Sequence, residues 1–303
     1  MSHREVVIGS SGGPGTAAAP GGGSRAPRAA PTPRSAAADY RNGLPAMPAP
    51  VKLYFATYRA LGRLVASLSA CFSGIWLGLL PRRVLYRIDA AYYDGHRYYR
   101  TDAYNRRGLW PWEQSAIDTH FGGCRSLLVA AAGGGREVLA LRRLGLEVHG
   151  FECHPDLARF ANELLKKDGH ASDIRLAARD MCPDFGRTYD GLVVGWGAYM
   201  LIRGRQRRIE FLRQLRQHAK PGAPVLVSFF HRAGGTHYRA AAAIGTALAL
   251  VLRGERVEVG DFLAPNFVHY FTREELDGEL RAGGFEPVLF ATDEYGHAVG
   301  RAR

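Results

Sequence analysis

Short apolar runs alternate with longer segments of helical periodicity over the second half of the chain. Strands are predicted at residues 126–130, 147–151, 174–177, 191–195 and 224–230. The segments between them, such as GREVLALRRLG, PDLARFANELLKKDG and RRIEFLRQLRQHAKPG, repeat apolar positions every three or four residues, which is typical of amphipathic helices. Strands that alternate with helices predict βαβ units, and therefore a mostly parallel sheet with helices on both faces.

The end of the chain predicts a different arrangement. Thr272 and Glu275 have the spacing of a capping box at the start of a helix. The segment FEPVLFATDEYGHAVGRA that follows predicts two strands joined by a short turn. A closing hairpin after parallel units makes the last strand run against the others.

The hydrophobic pattern divides the chain into three parts. Residues 1–50 consist mostly of Gly, Ala, Pro and Arg, and such a composition predicts a disordered tail because it buries too little apolar surface. Residues 51–122 predict a helical cap, in which Pro111 suits the start of a helix. Residues 123–303 predict the α/β domain.

Two apolar stretches have more than one interpretation. Residues 53–80 could form a buried or substrate-covering helix, a helix in peripheral contact with a membrane surface, or a membrane span. Residues 239–253 predict a helix packed on the sheet. Together the two stretches could build an apolar acceptor pocket or a membrane-facing rim.

The net charge of +12, with only 22% charged residues, could reflect anionic partners or arginines that simply form a solvated surface. The arginines are scattered, however, and no basic block contains interleaved aromatic residues, which argues against nucleic acid. The four cysteines are far apart and form no C-x-x-C pair, which argues against a structural zinc site and a disulfide framework. With no secretory pattern at the start, these features indicate a reducing, cytoplasmic location.

A glycine cluster, VAAAGGGREVLAL, lies where the first predicted strand ends and a helix begins. There the backbone can turn tightly and approach a ligand closely. A dinucleotide fingerprint that begins at Gly133 and Gly135 requires a third glycine where Val138 stands, and no P-loop Lys-Ser/Thr follows. The cluster therefore favours a ligand that lacks a pyrophosphate.

Acidic residues follow the next two predicted strands. Glu152 ends the second strand, where a carboxylate can accept hydrogen bonds from both hydroxyls of a ribose. Asp180 follows the third strand, where it could accept the exocyclic amine of an adenine while Met181 packs on the ring. The glycine turn and the two acids, on three successive strand ends, predict one adenosine site.

These residues resemble the motifs of class I S-adenosylmethionine-dependent methyltransferases, over a little more than half of the chain. The stretch from Val129 to Gly135 is similar to the acid-x-Gly-x-Gly-x-Gly motif of that family, with Val129 in place of the acid and Ala131 in place of the first glycine. The resemblance implies S-adenosyl-L-methionine as the cofactor and a seven-stranded Rossmann-like sheet with an antiparallel last strand. It implies that Glu152 contacts the ribose and Asp180 the adenine. It also places Gly195 and Trp196 beside the methionyl group.

Methyl transfer from a sulfonium has a neutral leaving group, so the main task of the protein is to hold the acceptor in line with the breaking bond. A hydroxyl acceptor also needs a base. Tyr199 and His231, which follow the fourth and fifth strands, are the catalytic candidates. His237, His269 and Tyr270 are further candidates, and no acid/His cluster with metal spacing is visible in the sequence.

Three functions remain open from the sequence. The first is methylation of a small molecule, with apolar or lipid-like acceptors among the options. The second is methylation of a protein or nucleic acid, although GWGAY stands where a base-methylating enzyme carries an Asn/Asp-Pro-Pro-Tyr/Phe tetrapeptide. The third is a non-catalytic protein that binds S-adenosylmethionine. The sequence indicates neither the acceptor nor the oligomeric state.

Overall fold

The computed structural model describes residues 48–303. Two units are distinguished, residues 1–57 and 58–303, and only residues 48–57 of the first are described. The predicted tail, residues 1–50, lies outside the described residues except for its last three positions. The helices are α1 (Ala49–Leu79), α2 (Arg82–Gly95), α3 (Asp102–Asn105), α4 (Pro111–His120), α5 (Arg136–Arg143), α6 (Pro155–Lys167), α7 (Arg205–Gln217), α8 (Thr236–Leu252) and α9 (Arg273–Ala282).

The central sheet has seven strands in the order β3-β2-β1-β4-β5-β10-β9. Strands β1 to β5 pair in parallel, and β10 runs antiparallel to both of its neighbours. The strands are β1 (Ser126–Ala130), β2 (Glu147–Glu152), β3 (Ile174–Leu176), β4 (Gly191–Val194), β5 (Pro224–Ser228), β9 (Phe285–Ala291) and β10 (His297–Ala302). The predicted sheet and its antiparallel last strand are confirmed.

Both faces of the sheet are buried. Successive side chains of a strand point to opposite faces, so Leu127 and Val129 of β1 enter one core while Leu128 and Ala130 enter the other. This explains why the strands read as continuous apolar runs. Because helices cover the faces, the carboxyl ends of β1 to β4 are the open edge at which ligands bind in such sheets.

A second, smaller sheet was not predicted. It contains β6 (Phe230–His231), β7 (Asp261–Leu263) and β8 (Phe267–Phe271), with β8 in the middle. The predicted strand 224–230 is therefore wrong as a single element. β5 ends at Ser228, the N–H of Phe229 still donates to the carbonyl of Gly296 beside β10 at 2.7 Å, and Phe230 and His231 then pair with β8.

Helix boundaries follow the local signals. Pro111 is the first residue of α4, and the Glu113 side chain accepts a hydrogen bond from the N–H of Trp110 at 2.8 Å. At α9 the predicted capping box is present: Thr272 accepts from the N–H of Glu275 at 3.3 Å, and Glu275 accepts from the N–H of Thr272 at 2.9 Å. Among the described residues, α1 is the one helix that is long and apolar enough to cross a membrane by length and composition.

Candidate active site

The glycine loop and Glu152 meet directly. One carboxylate oxygen of Glu152 accepts a hydrogen bond from the N–H of Gly133 at 2.8 Å. The other oxygen accepts from the N–H groups of Cys153 and His154, both at 2.8 Å. Glu152 is only 5% exposed, so the carboxylate is held by three backbone donors at the junction of β1 and β2.

Each glycine of the loop has its own surroundings. Gly133 has a φ of +54°, and a Cβ added there would meet nothing within 4 Å. A Cβ on Gly134 would lie 2.5 Å from the carbonyl oxygen of Tyr99, and a Cβ on Gly135 would lie 3.2 Å from the Ala161 side chain. The space left at Gly133 is therefore the part of the loop where a ligand can approach the backbone.

The end of β4 closes on the same loop. A Cβ on Gly195 would clash with the carbonyl oxygen of Ala131, and the N–H of Gly195 donates to the carbonyl of Ala130 at 2.8 Å. Ala131 has a φ of +52°, a conformation that favours glycine. The structure thus brings Ala131, Gly133, Gly195 and Glu152 to the neighbouring ends of β1, β2 and β4.

Asp180, which follows β3, contacts helix α2. The hydroxyl of Tyr86 donates to the Asp180 carboxylate, and Arg179 pairs with Asp89, one turn further along the same helix. Burial raises the pKa of the Asp180 carboxyl. Met181 is half exposed and lies, with Asp180 and Tyr86, around an open hollow of about 310 Å³.

Helix α2 also reaches Glu152 and its neighbours. Asp94 lies 3.2 Å from the Nε2 of His154, and burial together with the charges of Asp89 and Glu152 raises the pKa of Tyr93 well above its ordinary value. Tyr86 and Asp94 are eight residues apart, which is about 12 Å along a helix. Asp180 and the Glu152–His154 turn therefore contact the same helix, α2, at positions about two turns apart.

A buried charge network supports the other side of the loop. The guanidinium of Arg136 donates to Glu113 at 2.6 and 2.7 Å and to Glu137 at 2.6 Å. Glu137 in turn accepts from the N–H of Trp196 at 3.1 Å. Burial raises the pKa of Glu113, although Arg136 opposes the shift. The network joins α4, α5 and the end of β4 into a fixed unit.

Aromatic rings extend from this unit beyond the ends of β4 and β5. Trp196 lies between Trp110 and Tyr295, at ring-centroid distances of 6.0 and 5.5 Å. The row continues from Tyr295 to Phe230 at 5.8 Å and from Phe230 to Tyr270 at 5.3 Å. Flat, apolar surfaces of this kind suit an organic acceptor.

The two catalytic candidates lie in different environments. His231 is exposed on β6, with its ring 5.7 Å from that of Phe290. Tyr199 is completely buried, and its hydroxyl donates to Glu279 at 2.8 Å. Burial raises the pKa of Tyr199 well above its ordinary value. This places Tyr199 in the core, whereas His231 stays accessible to an acceptor.

The three other candidate residues, His237, Tyr270 and His269, all contact neighbouring side chains. His237 packs on Tyr238 with ring centroids 4.1 Å apart, and Tyr270 belongs to the aromatic row. His269 is buried, with its Nδ1 2.7 Å from a carboxylate oxygen of Asp261.

No acid/His cluster was visible in the sequence, but the fold brings Glu258, Asp261 and His269 together with ligand atoms within 4.8 Å of one another. Asp261 also accepts from the N–H of Glu258 at 2.9 Å, and Arg208 donates to Glu258 at 2.9 Å. These hydrogen bonds connect the three residues with one another and with Arg208. The cluster therefore stabilises the small sheet, in which Asp261 lies on β7 and His269 on β8.

Sequence reasoning missed the contribution of α2. Tyr86, Asp89 and Tyr93 are spaced three and four residues apart, so they share one face of a helix, and this pattern was available in the sequence. Their partners, Arg179, Asp180 and Glu152, are 59 to 94 positions away, and only the fold brings them together.

Comparisons with known proteins identify the fold of this chain. No family model matches the sequence, and no curated protein matches it. An S-adenosylmethionine-dependent methyltransferase from Methanosarcina mazei superimposes with a TM-score of 0.50 at 18% identity, over 64% of this chain and 98% of that chain. The chain has the class I methyltransferase fold.

Two further solved structures match less closely. The CcbJ methyltransferase from Streptomyces caelestis has a TM-score of 0.47 at 18% identity, over 63% of this chain and 88% of that chain. The sugar N-methyltransferase KedS8 from Streptoalloteichus has a TM-score of 0.48 at 17% identity, over 68% of this chain and 91% of that chain. At such identities a match concerns the fold, and the chemistry has to be argued from the residues of this chain.

Proposed function

We propose that this protein is an S-adenosylmethionine-dependent methyltransferase that acts on a small molecule. The observation that carries the proposal is the hydrogen bond between Glu152 and Gly133, which joins the ends of two parallel strands in a fold shared with such enzymes. Asp180, which follows the third strand, contacts helix α2, and so does His154 beside Glu152.

The residues present fit the cofactor. Glu152 would hold the ribose hydroxyls, because a carboxylate can accept from both. Gly133 leaves room for the ligand, and Asp180 with Met181 would hold the adenine. Ala131, Gly195 and Trp196 would flank the methionyl part. When bound, the cofactor supplies a methyl group on a positively charged sulfur.

The rest of the reaction depends on positioning the acceptor. The protein must hold the nucleophilic atom in line with the methyl group and keep water out. The aromatic row from Trp110 to Tyr270 would provide an apolar wall for the acceptor beyond β4 and β5. If the acceptor is a hydroxyl, the exposed His231 is the residue proposed to take its proton.

We propose that the reaction takes place in the cytoplasm. Cys71, Cys124, Cys153 and Cys182 are all free thiols, and burial raises the pKa of Cys153 to about 12 and that of Cys124 to about 11. A raised pKa makes Cys124 and Cys153 poor nucleophiles, and four cysteines without a disulfide suit a reducing compartment.

The test uses S-adenosylmethionine with a labelled methyl group, the full chain and a cell extract separated by molecular size. We expect label in the small-molecule fraction, and none with a Glu152→Ala variant. Label in protein or nucleic acid would overturn the acceptor class. Binding of the cofactor without any labelled product in any fraction would favour the non-catalytic alternative.

A further inference from the structure

Helix α1 carries two opposite stripes of side chains from Tyr58 onward. Small residues and one leucine form the buried stripe, which consists of Ala70, Ser73, Gly74, Leu77 and Gly78. Large apolar residues form the exposed stripe, which consists of Leu61, Leu64, Val65, Leu68, Phe72, Ile75, Trp76 and Leu79. At about 100° per residue, the exposed stripe is centred opposite the buried one.

The buried stripe fixes the orientation of the helix. A Cβ on Gly74 would lie 2.7 Å from the carbonyl oxygen of Ala241, and one on Gly78 would lie 2.6 Å from that of Gly245. Small residues let two helix backbones approach closely, and α1 packs on α8 in this way. Arg203 also donates to the carbonyl of Leu77 at 3.1 Å. The helix cannot turn its exposed stripe inward without losing these contacts.

The exposed stripe brings several large apolar side chains together at the surface of α1. Leu61, Leu64, Leu68 and Phe72 are each 56 to 62% exposed, and Trp76 is 42% exposed. Transfer of such side chains from water to an apolar environment is favourable. Large contiguous apolar surfaces mark sites of contact with a membrane or a partner.

The charges on these helices are all of one sign. Residues 49–79 and 236–252, the spans of α1 and α8, contain no Asp or Glu. Arg59 and Arg63 lie on the side of Ala70 and Gly74, opposite the exposed stripe, and Arg82 with Arg83 follows the end of α1. An apolar stripe with basic residues beside and behind it is the pattern of a helix that lies in the interface of an anionic membrane.

We propose that α1 docks the protein on an anionic phospholipid bilayer, with the exposed stripe inserted into one leaflet. A span across the bilayer fits less well, because the buried stripe is occupied by α8 and the uncharged segment from Leu64 to Leu80 has only 17 residues. Leu250, Val251 and Leu252 at the end of α8 are also exposed and could reach the same surface. This inference does not depend on the proposed methyltransferase activity.

The first test is flotation of the full chain with phosphatidylcholine vesicles, with or without phosphatidylserine. We expect flotation with the anionic vesicles and at least a tenfold weaker association with the neutral ones. A triple variant, Leu64→Ser with Leu68→Ser and Phe72→Ser, changes only exposed positions and should remain at the bottom of the gradient. The matched control, Leu176→Ser with Val288→Ser, changes exposed apolar residues elsewhere and should float as the wild type does.

A second measurement does not require the triple variant to fold. Vesicles with brominated acyl chains should quench the fluorescence of Trp76, and this part of the quenching should disappear in Trp76→Phe. The proposal is overturned if the wild type stays unbound with anionic vesicles, if the triple variant floats equally well, or if bromine quenches the wild type and Trp76→Phe alike. It is also overturned if the wild type without lipid is a dimer that the triple variant dissociates, because a second copy then covers the stripe.

Discussion

The carboxylate of Glu152 accepts the N–H of Gly133 at 2.8 Å, so the end of β2 is tied directly to the turn that follows β1. This contact places a negative charge beside a backbone position that is open to a ligand. Both features are needed by a ligand with a ribose and no pyrophosphate.

Glu152→Gln should weaken S-adenosylmethionine binding by about tenfold or more, because a hydrogen bond to a charged group is worth about 1.5–3 kcal/mol. The matched control is Glu147→Gln at the exposed start of the same strand, where the carboxylate pairs with Arg187 at 2.5 Å. Titration calorimetry measures the affinity of both variants for S-adenosylmethionine. Equal affinities in the two variants would argue against ribose binding at Glu152.

Gly133→Ala should reduce cofactor affinity, because the added methyl group enters the space kept open for the ligand. Gly145→Ala is the control, since Gly145 also has a positive φ, +83°, and nothing within 4 Å of an added Cβ. We expect both to cost about 1 kcal/mol or more of unfolding free energy from backbone strain. If both variants bind the cofactor equally well, the loop does not contact it.

Tyr86→Phe should strengthen cofactor binding by about two- to tenfold. The Tyr86 hydroxyl occupies part of a carboxylate oxygen of Asp180 that the adenine amine would use. Because each carboxylate oxygen has two lone pairs, the two donors compete only in part, and the gain should be smaller than the about 1.5–3 kcal/mol of a full hydrogen bond to a charged group. Tyr92→Phe, six residues further along α2, should leave the affinity unchanged. Weaker binding in Tyr86→Phe would show instead that this hydroxyl helps to hold the cofactor.

Asp190→Asn should destabilise the protein in a pH-dependent way. Lys220 donates to Asp190 at 2.6 Å, and this hydrogen bond, with others from the backbone and side chain of Ser126, lowers the pKa of the carboxyl. A lowered folded-state pKa gives stability that is present above the unfolded value of about 3.9 and is lost as the pH falls through the folded value.

We therefore expect Asp190→Asn to unfold about 1 kcal/mol more easily at pH 7, a modest loss because the pair is partly exposed. The difference from the wild type should shrink below about pH 4 in denaturant titrations. Asp190 precedes β4, at the opposite end of that strand from Gly195, so cofactor affinity should not change. A difference that persists unchanged at low pH would contradict this account of the ion pair.

Local signals in the sequence predicted the sheet, and they also located several candidate site residues at strand ends. Glu152 was identified because a residue at the end of a buried strand has a fixed place at the edge of a parallel sheet. Gly133 and Gly195 followed from the same reasoning. In each case the position along the chain was enough to locate the residue.

The sequence does not indicate which segments distant along the chain contact each other. Nothing near Tyr86 indicates that its partner is Asp180, and nothing near Arg136 indicates that it pairs with Glu113, 23 positions away, in a buried position. Tyr199 follows β4 as an acceptor-site residue would, yet the fold pairs it with Glu279, 80 positions away. A buried charge is typical neither of arginine nor of glutamate, so only the assembled fold can reveal it.

The central claim is that three strand ends form one adenosine site. The most direct measurement is photo-crosslinking of labelled S-adenosylmethionine to the full chain, followed by peptide mapping. The account predicts label in the peptides that contain Glu152–His154 and Arg179–Met181, and its loss when unlabelled S-adenosylhomocysteine competes. Competed label confined to peptides away from these strand ends, or no competed label at all, would contradict it.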